Sequence, residues 1–162
     1  MFAGLSGMAL TRTTRIVFVS LLAAVAFGLL TVAVATLSGE NQWTIRYHLA
    51  TREGALSLLS ISAVISLPIA IPTGLAGGAL AARMAQRAES ERSLLGWVCR
   101  GAAYGALIGA MGVTVYFAVL NGIQETLKYF FLAGLGVPAG SMVGAIVGAY
   151  SHFFGRAAVR EG

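Results

Sequence analysis

The chain is poor in the residues that most chemistry requires. Cys99 is its lone cysteine, so no intramolecular disulfide can form, and a single thiol beside an apolar run reads as filler rather than nucleophile. His48 and His152 are the only histidines and lie more than a hundred positions apart, a spacing that offers no metal site. Charged residues make up only 10% of the 162, against about 25% in soluble domains. Long stretches carry no charge at all, so nothing suggests a proton- or ion-coupled pathway through them. No phosphate-binding loop is present, and the serines of the central apolar run have no basic partner at nearby positions, which removes the usual nucleophile arrangements. Eleven basic residues outnumber six acidic ones, but they form no basic patch with interleaved aromatics. Nucleic acid is therefore excluded as the partner, and cytoplasmic loops of a membrane protein account for the excess.

What remains is apolar. Hydrophobic residues make up 57% and the mean hydropathy is +0.82. The longest run precedes Arg83, and with its exit reads ISAVISLPIAIPTGLAGGALAARMAQRAESE over 61–91. It exceeds the roughly 20 residues that a bilayer core requires. Pro68 and Pro72 stand one helical turn apart and each removes a backbone donor. A membrane helix tolerates this if hydroxyls such as those of Ser62, Ser66 and Thr73 re-satisfy the freed carbonyls. The expectation is a kinked helix followed by a polar collar of Arg83, Arg87, Glu89, Glu91 and Arg92.

The other segments extend this pattern to four spans at about 16–37, 54–82, 97–120 and 137–154, in one transmembrane domain covering 1–162. Residues 16–37 carry no charge over 22 positions, too long for a signal core, and read as a retained anchor. Residues 38–53 form the one long polar connection. Trp43 and Tyr47 favour the headgroup level there, with Arg46, His48 and Arg52 beside them. The plain reading is an interfacial loop; the functional one makes Arg46, Arg52 and Lys128 contacts for lipid headgroups. Asn121-Gly122 signals a turn, and residues 123–136 look like an interfacial approach to a last span entered at Pro138. Lys and Arg number two in the head, four from Arg83 to Arg100 and two in the tail, against Arg46, Arg52 and Lys128 opposite. That asymmetry places both termini and the middle loop in the cytoplasm, with the chain in a bacterial inner membrane.

Glycines recur every fourth residue at Gly101, Gly105 and Gly109, and again at Gly136, Gly140, Gly144 and Gly148. Each set makes a smooth stripe on one helix face where backbones can approach closely. Either the last two spans pack together or one stripe serves a partner subunit. The fold expected is an all-α four-helix membrane bundle with glycine-zipper packing.

The second span and its exit, Arg83-Met84-Ala85-Gln86-Arg87-Ala88-Glu89 with Gly96 beyond, resemble the lipopolysaccharide-export permeases of the LptF/LptG type. In that family a segment patterned R-L-x-x-x-x-E docks into a cytoplasmic ATPase. Gly136-Val137-Pro138 and Arg156 resemble the entry and exit of the family's last helix. The family has six spans and a large periplasmic β-domain, so the resemblance implies a reduced member. It further implies a non-enzymatic subunit of a lipid-export or ABC-type assembly, without cofactor, with membrane lipids, other membrane subunits and an ATPase as partners. The alternative is a small accessory subunit that packs through its glycine ladders against a larger complex, respiratory or photosynthetic.

Overall fold

The computed structural model describes residues 12–87, 93–122 and 133–157, and every regular element among them is an α-helix. In order these are α1 (Arg12–Ser38), α2 (Gln42–Ala50), α3 (Arg52–Arg87), α4 (Leu94–Asn121) and α5 (Ala133–Ala157). Three of them, over Thr13–Ser38, Arg52–Ala85 and Leu94–Asn121, are long and apolar enough to cross a membrane, consistent with an integral membrane protein. The expected fourth span, 137–154, lies inside α5.

Their ends follow local chemistry. Ser93 caps α4, its hydroxyl accepting from the N–H of Gly96 at 3.2 Å. At the other end Gly122 takes φ 80°, a left-handed value that a side chain resists, and its N–H donates to the Ala118 carbonyl. The Asn121-Gly122 signal thus marks a real helix end.

Local structure departs from the sequence expectations in three places. Residues 42–50 form the helix α2 rather than a loop, because Asn41 acts as its N-cap and accepts from the N–H groups of Trp43 and Thr44. The interfacial segment drawn over 123–136 is already helical from Ala133, which makes Pro138 the sixth residue of α5 instead of its entry. The rest of that segment, 123–132, lies outside the described residues. Finally, α3 carries both prolines inside one helix, as expected, but the hydroxyls do not take up the freed carbonyls. Pro68 and Pro72 lie on its exposed face, as does Val64, whose carbonyl Pro68 deprives of a donor. Ser62 and Ser66 are buried on the opposite face and make no hydrogen bond, while the Thr73 hydroxyl donates to the Ile69 carbonyl at 2.6 Å. None of the three reaches a freed carbonyl, because 100° per residue turns Ser66 about 200° away from Pro68.

Packing resolves into two antiparallel pairs, α1 with α3 and α4 with α5, which meet more sparsely along α1–α5 and α3–α4. Small residues make both tight seams. On α3 the stripe Ser66, Ala70, Gly74 and Gly78 faces α1. A Cβ added to Gly74 would stand 2.9 Å from that of Ala24, and one on Gly78 2.7 Å from the Val17 Cα. The Ser20 hydroxyl crosses this seam to the Gly74 carbonyl at 2.8 Å. On the other seam, a Cβ at Gly101, Gly105 or Gly109 would overlap the carbonyl oxygen of Gly144, Gly140 or Gly136 respectively, and the reverse holds for each. One turn further along, Gly148 meets the Trp97 carbonyl in the same way. At each glycine the hydrogen that replaces Cβ points at a facing carbonyl, a Cα–H···O contact of about 0.5–1 kcal/mol.

Size sorts in the opposite sense to a water-soluble domain. The buried positions hold mostly alanine, serine and glycine, whereas Phe18, Leu22, Leu30, Leu107, Met111 and Val115 are exposed, and Val64 is 72% exposed. In water so many bare leucines and valines would drive association. In hydrocarbon they cost nothing, and the close backbone approach inside supplies the packing. The exception is a cluster of Ile16, Ala82, Ala85, Trp97 and Val147, which ties all four long helices together at one end.

Candidate functional site

Because the two pairs touch each other sparsely, space remains between them. A cleft of about 440 Å³ runs between α1, α3, α4 and α5. Ser20, Met84, Trp97 and Ser151 bound one end; Thr36 and Phe117 bound the other. From Trp97 to Phe117 the helix rises about 30 Å at 1.5 Å per residue. That equals the thickness of a bilayer's hydrocarbon core, also about 30 Å.

The wall is built from the outward shoulders of both seams. Ala24, Gly28 and Ala70 come from the α1–α3 seam, and Gly105, Gly140 and Gly144 from the α4–α5 seam. Larger apolar side chains, among them Ile69, Ile108, Val113 and Val143, fill out the rest. Among the described residues no histidine, cysteine, carboxylate, lysine or arginine lines it. Such a wall can bind and sort a hydrocarbon by shape.

Its serine and threonine hydroxyls can be accounted for one by one; the Tyr104 phenol, on a half-exposed side chain, also lines it. Thr31, Thr36 and Thr73 donate to carbonyls of their own helices, and Ser20 donates across to Gly74. Only Ser66, 2% exposed, and Ser151, 1% exposed, have no partner among the serines and threonines of the wall. Ser66 is pressed into the α1–α3 seam beside Gly28. Ser151 sits on the last turns of α5, one turn beyond Val147 of the buried cluster.

A second polar arrangement lies at the Phe117 end of the molecule. Helix α2 packs on the start of α3 so closely that a Cβ on Gly54 would overlap the Tyr47 carbonyl. His48, which the sequence reading left among the rim residues, is buried there. Its Nδ1 lies 2.9 Å from the Gly54 carbonyl, which can only accept, so Nδ1 carries the proton. Its Nε2 is 3.4 Å from Glu40 Oε2. The Tyr47 ring meets the His48 ring edge-on at 5.6 Å between centroids, while Trp43 is 79% exposed, with the Arg46 guanidinium 6.0 Å from its ring centroid, at the limit of a cation–π contact. Nothing in the sequence flagged the link between Glu40 and His48, since eight residues of separation across a helix start is no recognised spacing.

The remaining residues singled out from sequence fall as follows. Gly101, Gly105 and Gly109 are brought against Gly136, Gly140 and Gly144, with Gly148 beside Trp97. Arg46, Arg52 and Arg83 are exposed, and Cys99 is exposed on α4. Arg87 is the last residue of α3. Glu89, Glu91, Arg92 and Lys128 lie outside the described residues. Among the described residues no group of three His, Cys, Asp or Glu could hold a metal ion.

Comparison with protein-family models, with curated proteins and with solved structures returns no match for this chain.

Proposed function

We propose that the chain is a non-enzymatic membrane component that handles lipid, a four-helix bundle in which α5 supplies the fourth span and the glycine seam holds it against α4. The observation that carries this reading is the cleft: predominantly apolar with a few hydroxyls, as long as a bilayer core is thick, and walled by small residues from two separately packed pairs. Its 440 Å³ falls within the range of small-molecule sites and is about three times the roughly 150 Å³ that admits a benzene ring. In a lipid solvent the natural occupant is a lipid hydrocarbon chain. A reduced permease of the LptF/LptG type, with the segment from Arg83 to Glu91 meeting a cytoplasmic ATPase, fits that role. The accessory-subunit reading needs a glycine ladder free for a partner, and both ladders are taken up within the chain.

The test is gentle purification of the full chain followed by extraction and identification of bound lipid. Stoichiometric lipid is expected from the parent protein. Val143→Trp, which fills the cleft from α5, should lower it about tenfold, equal to 1.4 kcal/mol of binding, while the protein stays monodisperse. A lipid-free parent protein, or a V143W variant that retains its lipid, would reject the reading. For the ATPase, co-purification that is lost on Glu89→Lys is the matching result.

A further inference from the structure

The two ends of the cleft differ. At the Phe117 end every threonine hydroxyl on the wall already donates to a carbonyl of its own helix. At the Trp97 end Ser151 is buried and donates to nothing. A buried hydroxyl without a partner is costly and calls for an acceptor. Ser66, the other buried unpartnered hydroxyl of the wall, cannot serve an end, because it lies against Gly28 partway along the seam.

Charge divides along the same axis. Arg15 and Arg83 flank Ile16 and Ala82 of the buried cluster in sequence, and Arg100 stands one turn beyond Trp97 on α4. All three arginines are exposed, and no acidic residue accompanies them at that end among the described residues. At the opposite end Arg46 and Arg52 share the surface with Glu40 and Glu53. Among the described residues the Trp97 end therefore presents net positive charge with an unused hydroxyl just inside it, while the Phe117 end is balanced.

Width sets a further limit. Spread over about 30 Å of helix, a volume near three benzene cavities accommodates one file of methylenes between the walls.

We propose that the cleft takes one anionic single-chain amphiphile, with its headgroup at the Trp97 end beside Ser151 and its hydrocarbon directed toward Phe117. This rests on the lipid-chain reading of the cleft and specifies which lipids enter it and in which sense. The recognised chemistry is an anionic oxygen headgroup on one long chain, met by a long-chain carboxylate or by a single-chain phosphate lipid.

Photo-crosslinking of the purified full chain tests it. Two analogues of one long-chain carboxylic acid are used, one with a diazirine beside the carboxylate and one with it near the terminal methyl. The first is expected to mark peptides containing Met84, Trp97 or Ser151, and the second those containing Thr36 or Phe117. The reverse pattern, or no discrimination between ends, overturns the orientation but leaves the lipid reading intact if co-purified lipid is present. Competition separates headgroups: a single-chain phosphate lipid that displaces the carboxylate probe more strongly than unlabelled carboxylate identifies phosphate as the source, and the converse identifies carboxylate. An uncharged long-chain alcohol or a two-chain phospholipid that competes equally well rejects the anionic or the single-chain part. Ser151→Ala should weaken carboxylate binding roughly tenfold, as loss of a hydrogen bond to a charged group does. Thr36→Val, at the far end, should leave it unchanged. An S151A variant that binds as the parent does, or a T36V variant weakened as strongly, overturns the assignment of the headgroup.

Discussion

At Gly105 there is no room for a single added carbon. A Cβ there overlaps the Gly140 carbonyl oxygen and lies 2.9 Å from the Gly144 Cα. Both obstacles are backbone, so relief requires the helices to part. Gly134, on the same α5 that supplies the opposing ladder, has nothing within 4 Å of an added Cβ. The two glycines therefore separate packing from propensity. Gly105→Ala is expected to destabilise by about 1–3 kcal/mol, the usual cost of overpacking. Gly134→Ala should be neutral or stabilise by up to about 1 kcal/mol through helix propensity. Thermal unfolding of both variants in detergent checks this, and equal shifts of the same sign would mean that the α4–α5 seam is not where close packing matters.

Among the elements, α2 is held to α3 by little more than one buried side chain and a tight joint. His48 donates to the Gly54 carbonyl, so one buried imidazole ties α2 to the start of α3, with Glu40 Oε2 3.4 Å from its Nε2. His48→Ala leaves the Gly54 carbonyl without that donor and should loosen α2 by about 1–3 kcal/mol. Faster amide hydrogen exchange over residues 42–50, with α4 unchanged, is the expected signature. Unchanged exchange in α2 would show that the Gly54 joint alone seats the helix. The element scale also explains the prolines of α3. They lie on its exposed face, so the two lost donors fall away from the small-residue face that packs on α1.

For the whole molecule, the exposed leucines and valines and the buried serines and glycines point to hydrocarbon as the solvent. From the distribution of arginines we propose an orientation with the Trp97 end of the cleft on the cytoplasmic side. In a Cys99→Ser background, a cysteine placed at Ser90 should resist an impermeant thiol reagent applied to intact cells, whereas one at Thr51, exposed between α2 and α3, should react. Labelling of the Ser90 position alone would invert the orientation. It would also move the proposed headgroup end to the outer face.

Composition and run length by themselves determined that the chain is helical, that its helices suit a membrane, and roughly where the long ones lie. Those properties depend on each segment's own backbone and solvent, so local sequence carries them. The glycine ladders were legible too, because a four-residue repeat marks a helix face whatever that face meets. The other properties needed the fold. Whether a ladder meets a second ladder or a partner, that Ser62 and Ser66 point away from the carbonyls left by Pro68 and Pro72, and that His48 reaches back to Glu40 are all matters of which faces meet. Tertiary structure alone decided the cleft. It is the space left where two tightly seamed pairs fail to close on each other, and no residue in the sequence marks a place where atoms are absent.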